Sequence, residues 1–192
     1  MTDPYKGIGY ELPTKIKATF ALISHAHFDH NNIEAVDCDY VLNKTGEYEI
    51  NGVKIKGVES DHDEKGGALR GKNVIFTVEA DGLRVCHLGD LGESCNESLL
   101  KRIGVVDILL IPVGGNYTID AVQAKAYIER IKPKIAVPMH YKGKGGTIDI
   151  AKVDEFLRLF ENVEYVKPKN QIDTNDLRIT TGERKIIYME RE

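Results

Sequence analysis

Three of the six histidines in this 192-residue chain lie within one short stretch. The stretch is His25–His30, with the sequence HAHFDH, and it follows an apolar run that we interpret as a buried strand. Alternate side chains of an extended chain share a face, so His25 and His27 can reach one metal ion. Asp29 and His30 come where the chain turns and can hold a second ion. Imidazole and carboxylate ligands together suit zinc, manganese or iron.

Three further candidate ligands stand at the ends of predicted strands. They are His62 after residues 53–58, Asp90 after residues 83–88, and His140 after residues 134–139. A lone histidine at a strand end is usually a hydrogen-bonded structural group, and only the HAHFDH cluster turns these three into expected ligands. His87 is different, because it lies three residues before Asp90 and points to the opposite face of a continuous strand. We predict that His87 hydrogen-bonds beside the site, with direct ligation as the alternative.

Strand signals dominate the first half of the chain. Two Asx-Gly turns, Asn51-Gly52 and Asp81-Gly82, predict hairpins of type I′. The predicted strands cover residues 18–24, 47–50, 53–58, 73–80, 83–88, 106–113, 134–139, 177–180 and 185–188. Between the hairpins, the glycine-rich stretch of residues 61–72 is predicted to be a mobile surface loop of the kind that carries function.

Two amphipathic helices are predicted in the second half. Thr118 is the expected N-cap of a helix that runs to about Ile131, with Val122, Tyr127, Ile128 and Ile131 facing inward. The second helix is expected over Asp149–Phe160, with Ile150, Val153, Phe156, Leu157 and Phe160 inward. The chain has strands in its first half and alternating strands and helices in its second half. This order predicts sheets covered by helices, in an α/β or α+β arrangement.

Length and composition narrow the class of protein. The chain is long enough for one domain, which we expect to span residues 1–192. A net charge of -4 argues against a broad nucleic-acid interface. The three cysteines are Cys38, Cys86 and Cys95, a number and spacing that indicate no disulfide framework, so we expect reduced thiols and a cytoplasmic protein. No membrane span or signal peptide is apparent in the sequence.

The ligand pattern resembles that of a known superfamily. HAHFDH matches the HxHxDH signature of the metallo-β-lactamase superfamily, and His62, Gly89-Asp90 and His140 follow in that superfamily's order. The stretch over residues 112–118, PVGGNYT, resembles the branch that contains ascorbate-6-phosphate lactonase-like proteins. The resemblance implies an αββα sandwich, in which two mixed β-sheets are flanked by helices.

The resemblance also implies a role for each ligand. The first metal would be held by His25, His27 and His62, the second by Asp29, His30 and His140, with Asp90 bridging the two. The cofactor is expected to be two divalent ions, zinc before manganese or iron. Diiron relatives that reduce oxygen or nitric oxide carry a glutamate at the position of His27, so the histidine here favours hydrolysis.

These roles predict an enzyme that uses a dinuclear-metal-activated hydroxide on a small ester, lactone or phosphate-containing metabolite. Asp29 and Asp90 are the expected catalytic carboxylates. Tyr117, Tyr141 and Lys142 lie beside ligand loops and could contact an anionic substrate, although ordinary surface residues are an equal alternative. Two other functions stay open, a phosphodiesterase or nuclease of the same fold and a metal-binding or sensing protein without turnover.

The start of the chain departs from the superfamily pattern. Relatives usually place a strand pair ahead of the first motif, whereas here the motif arrives after 24 residues. The segment Asp3-Pro4-Tyr5 resembles the end of that hairpin, so we expect an N-terminally shortened form. Loss of the hairpin would leave a sheet edge unpaired and favour a homo-oligomer.

Overall fold

The computed structural model of this chain describes residues 1–13, 15–166 and 184–189. The strands are β1 Ile16–Lys17, β2 Phe20–Leu22, β3 Val36–Asp37, β4 Tyr40–Leu42, β5 Gly46–Ile50, β6 Val53–Asp61, β7 Lys72–Ala80, β8 Leu83–His87, β9 Ile108–Pro112, β10 Ile135–Met139, β11 Val163–Val166 and β12 Lys185–Met189. The helices are α1 Glu97–Ile103, α2 Ala121–Ile131 and α3 Asp154–Leu157, with a short 3-10 helix at Ile33–Ala35.

Eight of these strands form one mixed sheet in the order β11-β12-β10-β9-β8-β7-β6-β5. The pairs from β5 to β8 are antiparallel, and the pairs from β8 to β11 are parallel. Within the described ranges, the other β layer consists of two short parallel pairs, β1–β3 and β2–β4. The second sheet is therefore smaller than the resemblance implied, although the α/β class is confirmed.

Both predicted hairpins are confirmed. Asn51 and Gly52 have φ values of 51° and 79°, and Asp81 and Gly82 have φ values of 51° and 75°. Positive φ at both central residues defines the type I′ turn that matches the twist of the flanking strands. These turns fix the register of the β5–β6 and β7–β8 pairs, and therefore where β6 and β8 end relative to their neighbouring strands.

The two faces of the large sheet carry different layers. Leu109 and Ile111 of β9 pack with Tyr127 of α2 on the helical face. On the opposite face, Phe76 of β7 packs against Leu22 of β2. Side-chain alternation along each strand separates the two apolar sets, so the sheet is buried between a helical layer and a thin strand layer.

Helix α2 begins later than predicted. Its N-cap is Asp120 and not Thr118, because Asp120 and Gln123 form a reciprocal capping box. The Thr118 hydroxyl donates instead to the carbonyl of Ile119. With this start, Val122 is 67% exposed, so its predicted inward position was wrong. The buried stripe consists of Ala121, Ala124, Tyr127 and Ile128.

The helix predicted over Asp149–Phe160 is mostly irregular, and only α3 is helical. Tertiary hydrogen bonds compete with the helix here: Ala151 N–H donates to Gly114 O, and Lys142 N–H donates to Ala151 O. Val153 and Phe156 are nevertheless buried as expected. The strand predicted over residues 177–180 lies outside the described residues, and β12 confirms the last one. Across the part of the chain that is described, no helix has the length and apolar character needed to cross a bilayer.

Candidate metal centre

The predicted ligands meet at one edge of the large sheet. Strands β6, β8 and β10 run in the same direction, so their carboxyl ends lie at a common edge. His62 follows β6, Asp90 follows β8 after a two-residue turn, and His140 follows β10. The His25–His30 segment follows β2 and lies against this edge, since the main-chain N–H of Val74 donates to the Ser24 carbonyl.

Six of the seven predicted ligands form two groups around a shared carboxylate. His25, His27 and His62 present ligand atoms that all lie within 4.8 Å of one another, and so do His30, Asp90 and His140. Asp90 Oδ2 lies 3.3 Å from His62 Nε2 and 3.3 Å from His140 Nε2. Asp90 Oδ1 lies 3.4 Å from His30 Nε2. The carboxylate therefore stands between the groups.

Asp29 lies at the edge of the second group. Its Oδ2 is 3.8 Å from His30 Nε2, and its side chain is 18% exposed. Of the two candidate catalytic carboxylates, Asp29 is therefore the one that water can reach from outside, whereas Asp90 is buried.

The donor set fits metal ions. Among the described residues, no hydrogen-bond partner is present for the buried atoms His25 Nε2, His62 Nε2 and Asp90 Oδ1. Buried polar atoms normally have partners, so this concentration of unpaired donors and acceptors needs an explanation. Ligands of a tetrahedral zinc ion at its usual bond length are about 3.3–3.4 Å apart. The contacts between Asp90 and its neighbouring imidazoles have this spacing.

Asp3 and Ser24 orient two of the imidazoles. Asp3 accepts hydrogen bonds from the Ser24 N–H at 2.7 Å and from the Ser24 hydroxyl at 2.6 Å. Because that hydroxyl donates to Asp3, it accepts from His25 Nδ1 at 2.9 Å, which leaves His25 Nε2 free of a proton. Asp3 Oδ2 also lies 3.3 Å from His30 Nδ1, which directs His30 Nε2 toward Asp90.

Charges within the cluster set the protonation states. Burial lowers the pKa of His25 to about 3, against the opposing charge of Asp90. Burial alone would lower the pKa of His30, but the hydrogen bond to Asp3 and the charge of Asp90 raise it to about 9. Burial disfavours the ionised form of Asp90, yet nearby histidines, His140 foremost, hold its pKa well below the usual value. At neutral pH Asp90 is therefore an anion and His25 a neutral imidazole, the forms that ligate metals, whereas His30 carries a proton that a metal ion would displace.

Asn73 and Gly89 position the Asp90 loop. The Asn73 amide donates to Ser60 Oγ at 2.8 Å and to Leu88 O at 2.9 Å, and its oxygen accepts from the Asp90 N–H at 3.0 Å. Gly89 turns the chain with a φ of 57°, and a Cβ there would come within 2.3 Å of Asn73 Oδ1. Only glycine fits both the conformation and the close approach.

Asp63 organises the glycine-rich loop after His62. Its carboxylate accepts four main-chain N–H groups, from Lys65, Gly67, Leu69 and Arg70. Gly92 packs against the same segment, since a Cβ there would lie 2.4 Å from the His62 carbonyl oxygen. These contacts fix the chain on both sides of His62, which is 1% exposed.

Comparison with known proteins agrees with this geometry. Residues 1–140 match the family described as the beta-lactamase superfamily domain. The chain belongs to the metallo-β-lactamase superfamily. Over 156 residues it is 30% identical to a UPF0173 metal-dependent hydrolase of Thermococcus onnurineus, covering 67% of this chain and 69% of the relative. A second such hydrolase, from Saccharolobus solfataricus, is 36% identical over 158 residues, covering 79% of this chain and 63% of the relative.

A solved structure extends the comparison to nearly the whole chain. A Thermotoga maritima protein, whose description places it in the metallo-beta-lactamase superfamily, is similar with a TM-score of 0.75 and 37% identity. The alignment covers 98% of this chain and 88% of that protein. This metallo-β-lactamase superfamily member is therefore a metal-dependent hydrolase, and its predicted fold class is confirmed.

His87 contacts the outside of the metallo-β-lactamase centre. Its Nδ1 accepts the Gly89 N–H at 3.1 Å, which places the proton of the neutral ring on Nε2. Nε2 lies 3.9 Å from Asp3 Oδ2, too far for a hydrogen bond. His87 is in neither of the two ligand groups that surround Asp90. The prediction for His87 assumed that its strand continues to Asp90. In the structure β8 ends at His87, and Gly89 turns the chain.

The three substrate-contact candidates have separate positions. A pocket of about 260 Å³ opens beside His30, Asp90 and His140, and Tyr141 and Lys142 line it. Tyr117 is not in that lining, and the guanidinium of Arg70 lies 4.3 Å from the centre of its ring. Tyr117 therefore joins two loops, whereas Tyr141 and Lys142 lie where a substrate would bind.

Sequence reasoning missed the residues that hold the ligands in place. Asp3, Ser24, Asn73 and Asp63 contact ligands or their loops, and none carries a recognisable local motif for that role. The nearest signal was the segment Asp3-Pro4-Tyr5, which we interpreted only as the end of a hairpin. The Asp3 carboxylate in fact reaches His30, 27 residues along the chain.

Proposed function

We propose that this enzyme hydrolyses a small ester, lactone or phosphate-containing metabolite with the help of two divalent cations, zinc before manganese or iron. The observation that carries the proposal is the Asp90 carboxylate, which lies within 3.8 Å of four imidazoles drawn from both ligand groups. A carboxylate surrounded by imidazoles of both groups is well placed to bridge two ions.

The ligand assignment follows the two groups. One ion would be held by His25, His27 and His62, the other by Asp29, His30 and His140, and Asp90 would touch both. When bound, such a pair supplies a water of lowered pKa and a Lewis acid for the scissile carbonyl or phosphoryl oxygen.

The chain's own residues would position the substrate and move the proton. The pocket beside His30 and His140 would hold the body of the substrate with the scissile bond toward Asp90. A carboxylate oxygen of Asp29 that does not hold the ion would accept the proton released by the attacking water and return it to the leaving oxygen. Its partial exposure suits this exchange, since the buried Asp90 has no comparable access to solvent.

The test combines elemental analysis with a substrate panel. We expect about two metal ions per chain after reconstitution. We also expect hydrolysis of p-nitrophenyl esters or simple lactones, and slower hydrolysis of RNA and bis-p-nitrophenyl phosphate. Turnover of RNA or the diester without ester or lactone hydrolysis would favour the nuclease function instead. Two bound metals without any turnover across the panel would favour a sensing protein.

A further inference from the structure

The pocket beside the candidate centre has mainly apolar walls. Apart from the ligand residues, its sides include Ile8, Met139, Ile148 and Ile150. Its volume of about 260 Å³ is below the ~300–1,000 Å³ typical of pockets for drug-sized ligands. A substrate that fits must therefore be small and largely apolar in the part that enters.

Two chain segments close the pocket against each other. Thr147 N–H donates to Ile8 O at 3.2 Å, which joins residues 5–10 to residues 143–148. Glycines permit the close packing, since a Cβ at Gly143 or Gly146 would lie 2.5 or 2.7 Å from the Tyr10 hydroxyl oxygen. The size limit is therefore built into the fold.

Charge is distributed unevenly along the pocket. The lining carboxylates of Asp3, Asp29 and Asp90 all lie at the end of the pocket near His30. Among the described lining residues, Lys142 is the one lysine or arginine.

Lys142 is held in place through its main chain. Its N–H donates to Ala151 O at 2.8 Å, and its Cα is two peptide units from that of His140, at most ~7.6 Å away. The ion pair between the Lys142 ammonium and the Asp149 carboxylate would compete only weakly with a substrate, because the two groups are 3.9 Å apart and the Asp149 side chain is 93% exposed.

We propose that the substrate is a small carboxylate-bearing ester or lactone, whose carboxylate is bound by Lys142 while its apolar body fills the pocket. This inference rests on the proposed hydrolase function and selects one class within it. One ammonium matches one carboxylate, whereas a phosphate monoester carries about two negative charges at neutral pH. Because Lys142 and His140 line the same small pocket, we expect only a few bonds between the substrate's carboxylate and its scissile carbonyl.

The test uses a matched pair of chromogenic esters on the zinc-reconstituted enzyme. Mono-p-nitrophenyl glutarate carries a carboxylate, and p-nitrophenyl butyrate is its neutral counterpart. The variants are Lys142→Met, Lys142→Arg and the control Lys144→Met, which removes an exposed lysine of the same loop that is outside the pocket lining. A second readout, ligand-observed NMR, measures binding of glutaramate and of neutral butyramide without needing turnover.

We expect the parent to prefer the anionic ester by about ten- to a hundredfold in kcat/KM, mainly through KM, as a charge-assisted hydrogen bond allows. Lys142→Met should abolish that preference and glutaramate binding, whereas Lys142→Arg and Lys144→Met should retain both. An unchanged preference in Lys142→Met would overturn the inference while the hydrolase function stands. If neither ester is hydrolysed, the NMR arm decides: equal glutaramate binding by parent and Lys142→Met, or none by the parent, would also overturn it.

Discussion

Replacing Asn73 with alanine should weaken both the fold and the metal centre. Asn73 is fully buried, and its side chain bridges β6, β7 and the loop after β8 through three hydrogen bonds. Asn73→Ala leaves the Asp90 N–H and the Leu88 carbonyl without these partners. Each buried main-chain group left unpaired costs about 1–3 kcal/mol, which gives a loss of about 2–6 kcal/mol in the free energy of unfolding.

Urea denaturation of the protein in EDTA measures this loss without the contribution of bound metal. With a slope of about 2 kcal/mol/M, the midpoint should fall by about 1–3 M. Asp90 also loses its main-chain anchor, so metal affinity should fall by about 10–100-fold, the range for residues that orient ligands.

Two matched variants separate these effects. Ser60→Ala removes a partner of Asn73 that does not contact Asp90, so it should lower stability less and leave metal affinity near the parent value. Asn43→Ala changes an exposed asparagine and should alter neither quantity. If Asn73→Ala unfolded at the parent's urea concentration and bound metal as tightly, Asn73 would not position Asp90 and the reasoning would be refuted.

Substitutions at three further positions, Asp90, His87 and Asp3, test the centre itself, with Asp61→Asn as a control. Asp90→Asn keeps the shape but removes the charge between the two ligand groups, so it should abolish turnover and lower bound metal in elemental analysis. Asp61→Asn, beside a ligand, should do neither. His87→Asn keeps an acceptor for the Gly89 N–H but loses the Nε2 donor, and His87→Gln keeps a donor there. Both should retain two metals, and loss of metal in either would contradict the placement of His87 outside the two ligand groups. Asp3→Ala should lower metal affinity by about 10–100-fold in competition with a chelator, because Asp3 orients His30 directly and His25 through Ser24.

The signals in the sequence were sufficient for the hairpins and for the convergence of the ligands. Asn51-Gly52 specifies its turn through backbone conformation alone, so no distant residue is needed to predict it. His62 and His140 were predicted as ligands because the HAHFDH cluster elsewhere in the chain called for partners at strand ends, and the structure brings both beside that cluster. The hairpin signal is therefore local, whereas the ligand prediction depended on residues far apart in the sequence.

The failures have a different physical origin. The helix expected over residues 149–160 has the right apolar spacing, but the Ala151 N–H donates to Gly114 O and the Ala151 carbonyl accepts from the Lys142 N–H, which holds the first part in an irregular conformation. Asn73 and Asp90 are 17 residues apart, and nothing in the residues around Asn73 indicates their contact. The start of α2 was a different error, since the capping pair Asp120 and Gln123 is visible in the sequence and outweighs Thr118.

The candidate ligands lie within residues 1–140, whereas the pocket is lined from both sides of that boundary. The family match covers residues 1–140 and ends on His140, the last candidate ligand. The pocket continues beyond it, through Tyr141, Lys142, Gly143, Gly146, Ile148 and Ile150. The same segment is where helical propensity was overridden by hydrogen bonds to Gly114 and Lys142. A regular helix over 149–160 would remove those bonds and the pocket wall with them. The irregular backbone is therefore what places Ile150 and Lys142 beside the centre, so the selectivity proposed above would depend on it.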